Sequence, residues 1–282
     1  MPKPKAYSKT SKNLSEKQKF LSELILMDDI FIRIVLKDVK CTEYILQTIL
    51  QKPDLKVKTQ SIQSDLKNLQ GRSLILDCLC SDTNGTVYNI EVQNDSHGAS
   101  PKRARYHSGL IDMHILKKGK SFENLPESYV IFICAKDILK ENKQIYHISR
   151  IIQESGKKFP DQAEIIYLNT SKDSENELGK LIEDFYTKDP KKMHSKVLAK
   201  RVADLKENKN IEKGEHDAMT TYYDRLKKQW EKEGMVKGKE ESESKMAKLM
   251  GFLVREGRIA DIEKASESPD YRKALLQEFQ LS

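Results

Sequence analysis

Between Ser73 and Gln93 the chain reads SLILDCLCSDTNGTVYNIEVQ, two apolar segments joined by a turn, each carrying an acid. An acid among apolar neighbours loses hydration unless a cation or hydrogen-bond donors meet it. Strand side chains alternate between faces, so Asp77 shares a face with Ile75 and Leu79, and Glu91 with Asn89 and Gln93. Pairing through the Asp82-Thr83-Asn84-Gly85 turn lets those faces coincide. Two carboxylates and an amide then converge. Oxygens gathered in that way suit Mg²⁺, which takes a few acids plus waters, and metal-assisted phosphodiester hydrolysis. A single strand-end acid reads first as solvated or paired with lysine; two on hairpin-linked strands tip the reading toward a metal site.

The surrounding elements must hold that hairpin. Over residues 16–50 apolar positions recur at helical spacing, with Leu21, Leu24, Ile25 and Asp28 on one side of a first helix. Tyr44, Ile45, Thr48 and Ile49 suit a second, ended by Lys52-Pro53. Residues 55–64 alternate loosely, as an edge strand would. Gly71 is expected to open the strand of Asp77, and Gly85 that of Glu91. Pro101 is placed to start a helix, whose expected stripe is Tyr106, Leu110, Met113 and Lys117. Lys102, Arg103 and Arg105 crowd its first turn, where backbone N–H groups already favour anions, so phosphate gripping is their candidate role. Arg103 and Tyr106, one turn apart, are expected to face the strands together. His107 and His114 read as structural or surface residues. Residues 128–135 and 164–168 read as buried strands, residues 145–152 fit strand or helix, and residues 175–186 read as helix. The order fits an α/β fold with a mixed sheet.

The hairpin resembles the active-site hairpin of the PD-(D/E)XK nuclease superfamily. Met27-Asp28-Asp29-Ile30-Phe31, Cys41-Thr42-Glu43-Tyr44-Ile45-Leu46, Lys102-Arg103-Ala104-Arg105-Tyr106-His107-Ser108 and Ser128-Tyr129-Val130-Ile131-Phe132-Ile133 extend the likeness. In order and spacing they are similar to the family of PD-(D/E)XK transposases and recombination-promoting nucleases. The resemblance implies a restriction-endonuclease-like mixed sheet flanked by helices and an Mg²⁺-dependent DNA endonuclease, with Mn²⁺ able to substitute, associated with transposition or recombination. It carries Asp77, Glu91 and Gln93 over as the catalytic set. Mg²⁺ is then expected on Asp77, Glu91 and the Val92 backbone carbonyl. Asp29 is the first candidate for a further ligand, and Asp28 and Glu43 are alternatives. Lys102, Arg103 and Arg105 become DNA-binding candidates. The chain has Gln93 where the superfamily usually has lysine, although glutamine is familiar there in this family. A neutral amide takes no proton as a base. The alternative reading is therefore a catalytically weak nuclease-fold module that binds DNA or protein.

At 282 residues the chain can hold one ordinary domain plus extra helices. Its net charge of +7 is a mild basic excess, compatible with a polyanionic partner and too small to require one. Cys41, Cys78, Cys80 and Cys134 read as small buried hydrophobes, since no Cys/His pairs have zinc-like spacing. No secretory leader is read at the start and no apolar run is long enough to span a bilayer, so a cytoplasmic location is expected. Four segments are expected. Residues 1–15 form a disordered basic tail, 16–200 a nuclease-like domain, 201–243 a charged helical connector and 244–282 a small helical segment. The charged helical C-terminal extension is the candidate surface for homo-oligomer formation. No helix-turn-helix or zinc module is read that would recognise a DNA end.

Overall fold

The computed structural model describes residues 8–67, 73–95, 97–172, 174–209 and 212–281. Three helices open it: α1 (Ser8–Glu23), α2 (Asp29–Val35) and α3 (Val39–Leu50). Helix α1 begins within the segment expected to be a disordered tail, because good helix formers from Glu16 onward lead into the buried Leu21. Residues 1–7 of that expected tail, and Gly71, lie outside the described residues. The expected first helix stops early: Ile25 and Asp28 sit in the turn before α2, where the Asp28 carboxylate accepts the Ile25 N–H at 2.7 Å. Asp38 caps α3 through the Lys40 N–H, and Gln51 ends it in the left-handed region.

Strands β1 (Val57–Leu66), β2 (Leu74–Asp82), β3 (Val87–Gln93), β4 (Ser128–Cys134), β5 (Ile145–Ile148) and β6 (Ala163–Asn169) make a sheet in the order β1-β2-β3-β4-β6-β5. The hairpins β1–β2 and β2–β3 are antiparallel, β3, β4 and β6 run parallel, and β5 closes the far edge antiparallel to β6. The mixed sheet expected from the sequence is present, and residues 145–148 take the strand alternative.

The β2–β3 turn sets the register. Asp82 Oδ1 accepts the N–H groups of Asn84 (2.9 Å) and Thr86 (3.0 Å), Asp82 Oδ2 accepts the Tyr88 hydroxyl (2.9 Å), and Gly85 takes a φ of +89° that suits glycine. Ser81 then faces Val87, Cys80 faces Tyr88, Leu79 faces Asn89 and Cys78 faces Ile90. Asp77 and Glu91 are the next residues on each strand beyond the last of these pairs.

Helix α4 (Pro101–Ile115) starts with Pro101 in its first turn, and Ser100 Oγ accepts the Arg103 N–H. Its buried residues Ala104, Leu110 and Ile111 join Leu79, Val87, Val130, Phe132 and Tyr167 in one core cluster. Thr42 of α3 stands against Cys78, the neighbour of Leu79 in the strand, so α3 and α4 cover opposite faces. Helices α5 (Glu177–Tyr186) and α6 (Lys196–Lys206) pack with α3. All four cysteines are buried thiols.

The chain divides into units at Met219/Thr220. Helix α6 lies within the first unit and crosses residue 200. Leu198, Val202 and Leu205 bury one side of it, and Lys206 Nζ donates to the carbonyls of Leu24, Ser22 and Lys188 at 2.6–2.9 Å. Burial lowers the Lys206 pKa to about 8. Helices α7 (Lys213–Arg255), α8 (Ile259–Glu267) and α9 (Pro269–Glu278) follow. In the second unit Leu249, Leu253, Ala265 and Leu275 form a small core ringed by Ile262, Tyr271, Leu276 and Phe279. Among the described residues no helix is long and apolar enough to cross a membrane.

Candidate metal centre

The sheet ladder between β2 and β3 stops at the Cys78–Ile90 pair. Beyond it, side chains replace the ladder. Asp77 Oδ2 accepts the Val92 N–H at 3.1 Å, and Glu91 Oε1 accepts the Asp77 N–H at 3.3 Å. Each carboxylate is thus held by a backbone donor of the opposite strand. Both are buried, Asp77 at 4% exposure and Glu91 at 1%.

Basic side chains approach this pair from two sides. Arg33, on α2, donates from Nε to Asp77 Oδ1 at 2.9 Å, and its Nη2 pairs with Asp29. Asn94 donates to the Met27 carbonyl at 2.7 Å, tying the end of β3 to the turn that launches α2. From α4, Arg103 Nη2 lies 3.8 Å from Glu91 Oε2, and His107 Nδ1 lies 3.8 Å from Glu91 Oε1. Burial raises the Asp77 pKa, against the opposing pull of Arg33 and the Val92 amide. Burial, and then the charge of Asp77, raises Glu91 to about 8, against the Asp77 amide, Arg103 and Asn89.

Other residues lie elsewhere than their spacing predicts. The buried stripe of α4 is Ala104, His107, Ser108, Leu110 and Ile111. Tyr106 and Met113 are exposed, and Lys117 lies beyond the helix on the surface. The small Ala104 and Ser108 let the helix approach the sheet, which hydrophobicity alone does not signal. Tyr106 therefore does not face the strands with Arg103; His107, four residues on, takes that place. Arg33 and His107 are the site residues that sequence reasoning missed. The signal for Arg33 is a charge among Phe31, Ile32, Ile34 and Val35, spaced i,i+4 from Asp29. Of the basic cluster, Arg103 is half-buried at the centre, whereas Lys102 and Arg105 are exposed. Asp29 reaches the centre through Arg33. Glu43 instead accepts the Val57 N–H at 3.0 Å, anchoring the start of β1. Asp28 is occupied in its turn.

Gln93 ends β3, with its carboxamide lying against Gly98 in the turn His97–Ala99. A Cβ at Gly98 would overlap Gln93 Oε1 and come within 2.9 Å of its Cδ.

Among the described residues no group of three or more His, Cys, Asp or Glu side chains is placed to hold a metal ion. The centre offers two carboxylates and the Val92 carbonyl between Glu91 and Gln93. That set fits Mg²⁺, which commonly binds through one or two carboxylates and keeps several waters. The donor chemistry supports the fit: two acids cut off from water by burial lie side by side, and a guanidinium already sits on one of them.

Comparison with known proteins adds one positive result. No curated protein and no solved structure matches the chain. A family model described as PD-(D/E)XK nuclease family transposase matches residues 44–239, more than two thirds of the sequence.

Proposed function

We propose that this chain, which belongs to the PD-(D/E)XK nuclease family transposases, is a divalent-cation-dependent endonuclease that hydrolyses DNA phosphodiester bonds. The observation that carries the proposal is the buried Asp77–Glu91 pair at the open end of the β2–β3 ladder, each acid held by the other's strand. Asp77, Glu91 and the Val92 carbonyl would hold Mg²⁺ or Mn²⁺. The bound ion supplies polarisation of the scissile phosphate and a lowered pKa for an attacking water.

The chain's own groups do the rest. The Val92 and Asp77 amides orient the two carboxylates. Arg33 neutralises Asp77, and its second pairing with Asp29 gives it a place to withdraw to. Arg103, partly exposed at the mouth, is positioned to meet charge that develops on a phosphate. Lys102 and Arg105 would grip flanking phosphates. Gln93 orients a water by hydrogen bonding, and as a neutral amide takes no proton from it.

Supercoiled plasmid with Mg²⁺ or Mn²⁺ tests the proposal: nicked and linear products are expected with the ion and none with a chelator. The lysine-to-glutamine difference at Gln93 favours one competing reading, a nuclease fold that only binds. That reading gives salt-sensitive DNA binding without cleavage under either ion.

The Gly98 contact yields a separate expectation. Gly98→Ala should displace only the flexible end of Gln93, leaving stability within about 0.5 kcal/mol of wild type. Nicking should fall, and Gln93→Ala should add little further loss on top of it. A double variant much slower than either single one would show that the two residues do not act through one contact.

A further inference from the structure

His107 is fully buried on α4, with both ring nitrogens engaged. Arg103 Nε lies 3.1 Å from His107 Nε2. An arginine Nε always carries its proton, so Nε2 must accept. A ring whose Nε2 keeps its lone pair is neutral and carries its one N–H on the other nitrogen. That proton is on Nδ1.

Nδ1 lies 3.2 Å from the Asn89 carboxamide nitrogen and 3.8 Å from Glu91 Oε1. The Asn89 amide itself hydrogen-bonds Glu91. The two nitrogens therefore stand as donors side by side before one carboxylate. Asn89 Oδ1 is buried without a hydrogen-bond partner among the described residues. Turning that amide over would offer Oδ1 to the same His107 proton. In either arrangement Arg103 decides the tautomer, because a proton on Nε2 would set two N–H groups against each other there.

We propose that His107 is a positioning residue for Glu91: Arg103 locks its ring in the Nδ1–H tautomer, and the Nδ1 proton holds the Glu91 carboxylate turned toward Asp77. The proposal rests on the reading of Asp77 and Glu91 as a cation site. At 3.8 Å the contact is longer than a hydrogen bond; such bonds are commonly long until substrate binds. Hydrogen-bond partners of metal-ligating groups fix their orientation, and losing one typically costs about 10–100-fold in metal affinity or activity.

Two measurements on the full chain test it. Long-range proton–nitrogen NMR of the wild-type imidazole should report a proton on Nδ1. Mn²⁺ affinity, measured by calorimetry, should fall about 10–100-fold in His107→Leu and in His107→Gln. In His107→Asn, whose amide nitrogen overlies Nδ1, affinity should stay within about threefold of wild type. A role in packing alone would not be rescued by the smaller asparagine. A proton on Nε2 overturns the proposal, and this readout needs no variant to fold. Equal Mn²⁺ affinity in wild type and His107→Leu overturns it, as does His107→Asn being as weak as His107→Leu. Wild-type protein that binds no Mn²⁺ overturns the cation site itself, and the proposal with it.

Discussion

Asp77→Asn should slow cation-dependent nicking by roughly a thousandfold under single-turnover conditions. The substitution keeps the shape of the side chain and leaves an oxygen for the Val92 N–H, so the strand ends remain pinned. It removes the negative charge that would hold the ion. Metal ions supply several kcal/mol of transition-state charge stabilisation, and about 1.4 kcal/mol corresponds to a factor of ten in rate. Arg33 keeps its pairing with Asp29, so no buried guanidinium is left alone. The thermal midpoint should therefore move far less than the rate. Nicking that survives at more than about a tenth of the wild-type rate would remove Asp77 from the chemistry.

The second large effect lies in stability against pH. Without divalent ions, the folded protein holds a proton on Glu91 up to about 8, while the unfolded chain releases it near about 4.3. Between those values the native state binds more protons than the unfolded state, so its stability falls as pH rises through the window. The raised pKa of Asp77 adds in the same direction. His107 acts oppositely: its lowered value withdraws stability as pH falls from about 6.5 toward about 4. Glu91→Gln isolates the first contribution. Its denaturation profile should be flatter than wild type across this range, and above pH 8 without metal it should be the more stable protein. Mn²⁺ should raise the wild-type midpoint there by binding only the folded state and leave Glu91→Gln nearly unmoved. A wild-type profile that rises with pH across the window relative to Glu91→Gln would mean that Glu91 is not held protonated.

These effects trace to groups that the sequence discloses unequally. The hairpin is legible because its signals are local: Asp82 and Gly85 make the turn, and the register it sets leaves Asp77 and Glu91 as the next residues past the last pair. Pro101 and Ser100 mark the start of α4 in the same local way. Arg33 meets Asp77 across 44 residues of chain, and no spacing rule connects them. His107 was hidden by its own helix, where the larger Tyr106 and Met113 suggest an apolar stripe that the fold leaves exposed. The real buried face depends on how closely Ala104 and Ser108 let α4 approach the sheet, which is a tertiary property. Glu43 shows the converse, an acid well placed in sequence for the centre that is spent on the amide of Val57.

The most direct test is a crystal of the full chain soaked in Mn²⁺ and read by anomalous scattering. One ion should lie within coordination distance of a carboxylate oxygen of Asp77 and one of Glu91, with Arg33 drawn back from Asp77 toward Asp29. A map with no density between the two acids, and the guanidinium still seated on Asp77, would contradict the account.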